Sequence, residues 1–279
     1  MSKKVREPQY MYSPLNNQMI NYKEYYMSSF EKTIYFFCTF IIGGIVGNVF
    51  YGGLFKYEGE NTMATYISNT IVFFIVGFTA AKVFVPAINE SLRIKRDKKL
   101  QKQFINFMET LATSLTAGTT INDSFVNAKN DLANQYSEGE LIIVELSEII
   151  NGMNNGKTLE EMLESFGERS NNEDIQNFSN VMKNCYRLGG NFKDVVRRTR
   201  DIISDKIAIS EEIETKISSN KLQHNAMCVM PIALVAMLKV SSPDFASNLA
   251  SGLGVVVTTF AIGIFVGSYF WGQKIIDIR

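Results

Sequence analysis

The sequence predicts an all-α membrane protein, with four transmembrane helices and a six-helix cytoplasmic bundle inserted between the second and third. Three observations predict it. The 28 Lys+Arg and 28 Asp+Glu residues are nearly absent from four stretches and dense between Arg93 and Lys221. Each sparse stretch is long enough, or nearly so, to cross roughly 30 Å of hydrocarbon as a helix. Between the second and third, apolar residues recur at helical spacing, without the alternation of a strand.

Residues 1–32 form a polar lead, rich in aromatic and charged side chains and expected to stay cytoplasmic. The first apolar run begins only near Thr33, too late for a cleaved signal, so it is expected to remain in the mature protein. Span one, 33–55, carries no charge, and its Gly43 and Gly47 have the spacing that lets helices approach closely in lipid. Span two, 63–85, is uncharged until Lys82, and Pro86 is expected to mark its end. Span three, 222–240, contains Pro231, expected to bend it. Span four, 249–271, closes on Tyr269, Phe270 and Trp271, an aromatic belt suited to the membrane interface, and residues 272–279 form a short tail.

Positive charge sets the orientation. Arg93, Lys95, Arg96, Lys98, Lys99 and Lys102 follow span two, whereas the first loop holds Lys56 against Glu58 and Glu60, and the last holds Lys239 and Asp244. The bundle at 93–221 and both termini are therefore expected on the cytoplasmic side.

Within that bundle five amphipathic faces can be traced, beginning with Leu100, Phe104, Phe107, Met108, Leu111 and Leu115. The others are Ile121 to Leu132, Ile142 to Ile150, Leu159 to Phe166 and Ile175 to Cys185. A sixth starts at Phe192 and meets no strong breaker before span three, so one long helix is expected to enter the membrane directly.

A stop-and-start pattern occurs three times, as Gly118 with Thr120 and Asp123, Gly156 with Thr158 and Glu161, and Gly189-Gly190-Asn191 with Asp194. Glycine permits a left-handed turn, Thr or Asn accepts a backbone N–H, and the acid favours the positive helix end. The pattern predicts helical hairpins joined by tight turns.

Other chemistries fit poorly. Gly152 to Thr158 ends in Gly-Lys-Thr, but its glycines are one residue too close for a P-loop and an amphipathic helix precedes it in place of a strand. Cys38, Cys185 and Cys228 lack metal or redox spacing, and His224 is the single histidine. No Asp or Glu lies within a span, which argues against intramembrane proteolysis and proton coupling. A channel would have only Asn48, Ser68, Asn69, Thr70, Thr258 and Thr259 to line it.

Charge in the bundle divides into acidic middle helices, with Glu138, Glu140, Glu145, Glu148, Glu160, Glu161, Glu164, Glu168, Glu173 and Asp174, and basic clusters at Arg93–Lys102 and around Arg187, Arg197, Arg198 and Arg200. The simplest reading of each is a solvated face; the run beside the membrane also suits anionic lipid, and the division suits electrostatic docking of a partner. Nucleic acid is a poor candidate, because the domain is not basic overall.

The order of spans, together with Gly118 to Phe125, Gly156 to Leu163 and Arg187 to Val196, resembles the type II secretion F-domain family, in particular the TadB and TadC pilus-assembly proteins. The resemblance covers about Phe104 to Leu238, and its most specific piece is RLGGNFKDVV. It implies a single F domain in an inner-membrane platform without enzymatic activity or cofactor. The implied partners are a hexameric cytoplasmic ATPase, pilin subunits and a second copy or paralogue. A membrane-anchored sensor or signalling adaptor stays open beside it. The residues implied as structural or partner-facing are those of the three turns, with Arg187, Arg197 and Pro231.

Overall fold

A computed structural model describes residues 7–54, 62–188 and 192–276. Among the described residues the regular structure is helical apart from a short antiparallel hairpin near the start, and the chain divides into two compact units. The first combines 1–26 with 89–210; the second combines 27–88 with 211–279.

In the first unit, β1 (Tyr10–Tyr12) pairs with β2 (Gln18–Ile20) in the register Tyr10 to Ile20, Met11 to Met19 and Tyr12 to Gln18. The bundle takes the C-terminal part of α2 (Met63–Thr116), then α3 (Ile121–Ala133), α4 (Leu141–Asn154), α5 (Leu159–Ser170), α6 (Glu173–Leu188) and the first part of α7 (Phe192–Ser241). Six helical segments thus surround one core. At its centre Phe104 lies against Phe107, Phe166 and Phe178, and Phe107 against Phe125, with ring centroids 5.4 to 6.3 Å apart. Leu100, Leu111, Ala128, Leu132, Ile142, Leu146, Met162, Ile175 and Val196 complete it, so each traced face turns inward.

The second unit contains α1 (Ser29–Tyr51), the N-terminal part of α2, the C-terminal part of α7, α8 (Pro243–Leu249) and α9 (Gly252–Ile276). Among the described residues, four helices are long and apolar enough to cross a membrane: α1, α2, α7 and, over Gly252–Tyr269, α9. Where α1 meets α2, Gly43, Gly44 and Gly47 are buried, and a Cβ placed on Gly47 would stand 2.8 Å from the Cβ of Val76. Phe40 fills the adjoining space against Phe73 and Phe74.

Two expectations change. Pro86 does not end a helix, because α2 runs through it and joins span two to the first bundle segment. Proline removes one N–H, here the partner of the carbonyl one turn back, and long helices at membrane depth tolerate that loss. Lys239 is not a loop residue. It sits in the last turn of α7, and its ammonium donates to the carbonyls of Asn48, Val49 and Gly52 at the C-terminal end of α1. A cation at that end offsets the negative pole of the helix.

Candidate functional site

Two of the three glycine turns lie among the described residues. Gly118 has φ +86° and Gly156 φ +80°, in the left-handed region that a side chain disfavours, and a Cβ on either would meet nothing within 4 Å. Backbone conformation is therefore what requires glycine at both. Thr120 caps α3 by accepting from the Asp123 N–H at 3.2 Å, and its hydroxyl donates to the Asp123 carboxylate at 2.7 Å. Thr158 caps α5 in the same way, accepting from the Glu161 N–H at 3.3 Å. Thr120, Asp123, Thr158 and Glu161 are all exposed.

Gly189, Gly190, Asn191 and the Arg187 side chain lie outside the described residues. Asp194 and Arg197 stand in the first turns of α7, both exposed, and Pro231 lies inside the same helix and is exposed. Thr120 with Asp123, and Thr158 with Glu161, are each joined within their own turn.

The acidic helices divide on burial. Glu138, Glu161, Glu168 and Glu173 are exposed, whereas Glu145, Glu148 and Asp174 are buried. The solvated-face reading therefore fails for these last three. Glu145 is 1% exposed and pairs through two hydrogen bonds with Arg169, itself 2% exposed, at 2.8 and 2.7 Å. Such a pair is tolerated in a core because a guanidinium and a carboxylate match in geometry and the remaining polar atoms find partners. Asp174 joins three elements, accepting from Gln101 of α2 at 2.9 Å and Lys206 of α7 at 2.7 Å.

The partners of Glu145 and Glu148 come from the N-terminal segment. The Tyr22 hydroxyl donates to Glu145 at 3.0 Å, and the Tyr22 side chain is 1% exposed. The Tyr22 N–H donates to the Arg169 carbonyl at 2.9 Å, while the Arg169 guanidinium donates to the Ile20 carbonyl at 3.2 Å. At the hairpin tip, Ser13 and Asn17 donate to Glu148 at 2.5 Å and 3.1 Å. Arg96 of α2 donates to the carbonyls of Tyr22 and Glu24 at 2.8 and 3.0 Å and stands over the rings of Tyr22 and Tyr25. Residues 7–26 thus form a strap lying on α2, α4 and α5.

Electrostatics follow the packing. Burial first, then the Glu145 charge, pushes the Tyr22 hydroxyl well above the ordinary phenol range, so it stays a donor. Burial pulls the Arg96 guanidinium down and pushes the Asp97 carboxyl up. Hydrogen bonds from Lys99 and then Gln103 hold Glu140 below the usual carboxylate range at the start of α4. Several members of the Arg93–Lys102 run are thus engaged within the unit: Arg93 with Glu90 and Asp97, Arg96 with the strap, Lys99 with Glu140.

The strap is what sequence reasoning missed, and one signal could have exposed it. Glu145 falls three residues after Ile142 and four before Ile149, and Arg169 three after Phe166, so each interrupts an apolar face at a position that should be buried.

Residues 107–238, from within α2 to within α7, match the family described as Type II secretion system (T2SS), protein F. The chain carries a T2SS F domain. Proteins of this family are membrane platform proteins of secretion or pilus systems, structural components and not enzymes. With four apolar helices of spanning length, the F-domain chain is a multi-pass membrane protein. The strap lies outside the matched segment and packs on it. Comparison with curated proteins and with solved structures each returned no match.

Proposed function

We propose that this chain is an inner-membrane platform of a Tad-like pilus or a type II secretion machine, with both termini and the F domain cytoplasmic. In this role it couples a hexameric cytoplasmic ATPase to the movement of pilin-like subunits out of the bilayer. The observation that carries the reading is an F-domain match over residues 107–238 in a chain with four helices apolar and long enough to span. The exposed acids Glu138, Glu161, Glu168 and Glu173 give the ATPase a negative surface that would steer a basic partner. Helix α7, unbroken from Phe192 to Ser241, offers a route by which displacement of the bundle reaches a span, with Pro231 as its hinge. Anionic lipid beside the basic run, and a second copy or paralogue, complete the assembly.

Deleting the gene in its host and restoring it tests the reading. Loss of filaments or of secretion on deletion, recovered by the wild-type chain but not by one with Gly189 and Gly190 replaced by leucine and still inserted, is the expected result. Normal filaments and secretion in the deletion strain would refute it.

A further inference from the structure

The two compact units are joined at three places along the chain. Two lie inside the helices α2 and α7; the third is the short stretch between the strap and α1. That stretch is fixed at both ends. On one side, Arg96 holds the Glu24 carbonyl at 3.0 Å, and Tyr22 is bound through its N–H, carbonyl and hydroxyl. On the other, Ser28 caps α1, with its N–H donating to Glu31 at 3.0 Å and its carbonyl accepting from the Lys32 N–H at 2.9 Å. Only Tyr25, Tyr26 and Met27 lie between Glu24 and Ser28. Four Cα steps span at most about 14 Å when fully extended.

We propose that the strap is a tie. It fastens the start of α1 to α4 and α5 of the bundle, so that any excursion of those helices beyond the reach of residues 25–27 either pulls on α1 or strips Tyr22 from the Glu145–Arg169 pair. The anchoring chemistry suits this role. The Glu145–Arg169 pair keeps both of its mutual hydrogen bonds without the strap, so release of Tyr22 leaves that buried pair matched. Strap contacts at Glu148 come from the neutral donors Ser13 and Asn17. A strap held by a buried tyrosine, a cation over its rings and neutral donors can therefore detach as a unit while the bundle stays folded.

Hydrogen exchange on the full chain in lipid nanodiscs tests the tie without reference to any activity. Inserting ten Gly/Ser residues between Met27 and Ser28 leaves the strap docked but slack. The expected result is unchanged protection at Ile20–Tyr25 and at least fivefold faster exchange at Lys32–Tyr35 of α1. The double variant Tyr22→Ala, Arg96→Ala is expected to lose protection at both segments. Unchanged exchange at Lys32–Tyr35 in the slack variant overturns the tie, as does a strap that stays protected in the double variant. Should the double variant lose its fold, the slack variant still decides.

A cellular arm rests on the platform reading. There the slack variant, at normal levels, should lower filament assembly or secretion at least tenfold, and full activity would count against the tie. A deletion strain with normal filaments and secretion would refute the platform reading and leave the exchange result standing.

Discussion

Phenylalanine behaves oppositely in the two units. In the bundle, Phe104, Phe125 and Phe178 are fully buried, and each turns toward a core built from all six helical segments. In α1 and α2 of the other unit, Phe37 and Phe74 are more than half exposed, and buried glycines let the two helices approach closely. One unit is organised by removing apolar side chains from water; the other presents them outward to a hydrocarbon solvent and gains from close backbone approach. The same difference governs charge. The bundle buries a carboxylate and a guanidinium as a matched pair, whereas no Asp or Glu falls within the apolar stretches.

The contrast breaks most visibly where the bundle's buried groups are removed. Replacing Glu145 by alanine strands Arg169 and should cost about 3–5 kcal/mol, measured by pulse proteolysis of the detergent-solubilised chain. Phe104→Ala should cost a similar amount, about 3–5 kcal/mol, whereas Phe37→Ala, at a side chain more than half exposed, should cost under about 1 kcal/mol, because hydrocarbon solvates either side chain. Equal losses for the two phenylalanines would erase the distinction between the units. In the apolar unit the sensitive place is instead Gly47, where Gly47→Val should cost about 1–3 kcal/mol through overpacking against Val76. A smaller effect belongs to the turns. Thr120→Ala removes the cap of α3 and should cost about 1 kcal/mol, while Lys183→Ala, at a half-exposed pair with Glu164, should cost under about 1 kcal/mol.

The strap adds a pH dependence. A phenol whose folded pKa is raised favours its neutral form, so docking is intact below the ordinary phenol value of about 10 and weakens as pH rises above it. Phenolate absorbance should show a late-titrating tyrosine that is absent in Tyr22→Phe. Its presence in that variant would assign the shift elsewhere.

Much of this architecture is written in the sequence because long periodic segments leave a strong signal. Four charge-poor stretches and the inward faces from Leu100 to Val196 match the structure helix by helix, and Thr120 and Thr158 stand where a stop-and-start pattern puts a cap. The hairpin left no such trace. Its strands are three residues each, too short for alternation to register, and its one buried aromatic, Tyr22, sits among Tyr25 and Tyr26 in what reads as a polar lead. Pro86 misled because a local breaker yields to a helix continued on both sides, and Glu145 because a charge is ordinarily assigned to solvent until its partner, Arg169, is placed beside it. In both cases tertiary context, invisible in a local window, outweighed the local rule.

The proposed engagement of a secretion ATPase by the F domain is tested most simply by direct binding. The full chain in nanodiscs, titrated with the purified hexameric ATPase of its own machine, should bind saturably and more weakly as salt rises. Reversing Glu161 and Glu168 to lysine should weaken that binding about tenfold or more. No binding at concentrations on the order of tens of micromolar, or binding indifferent to both salt and charge reversal, would contradict the account.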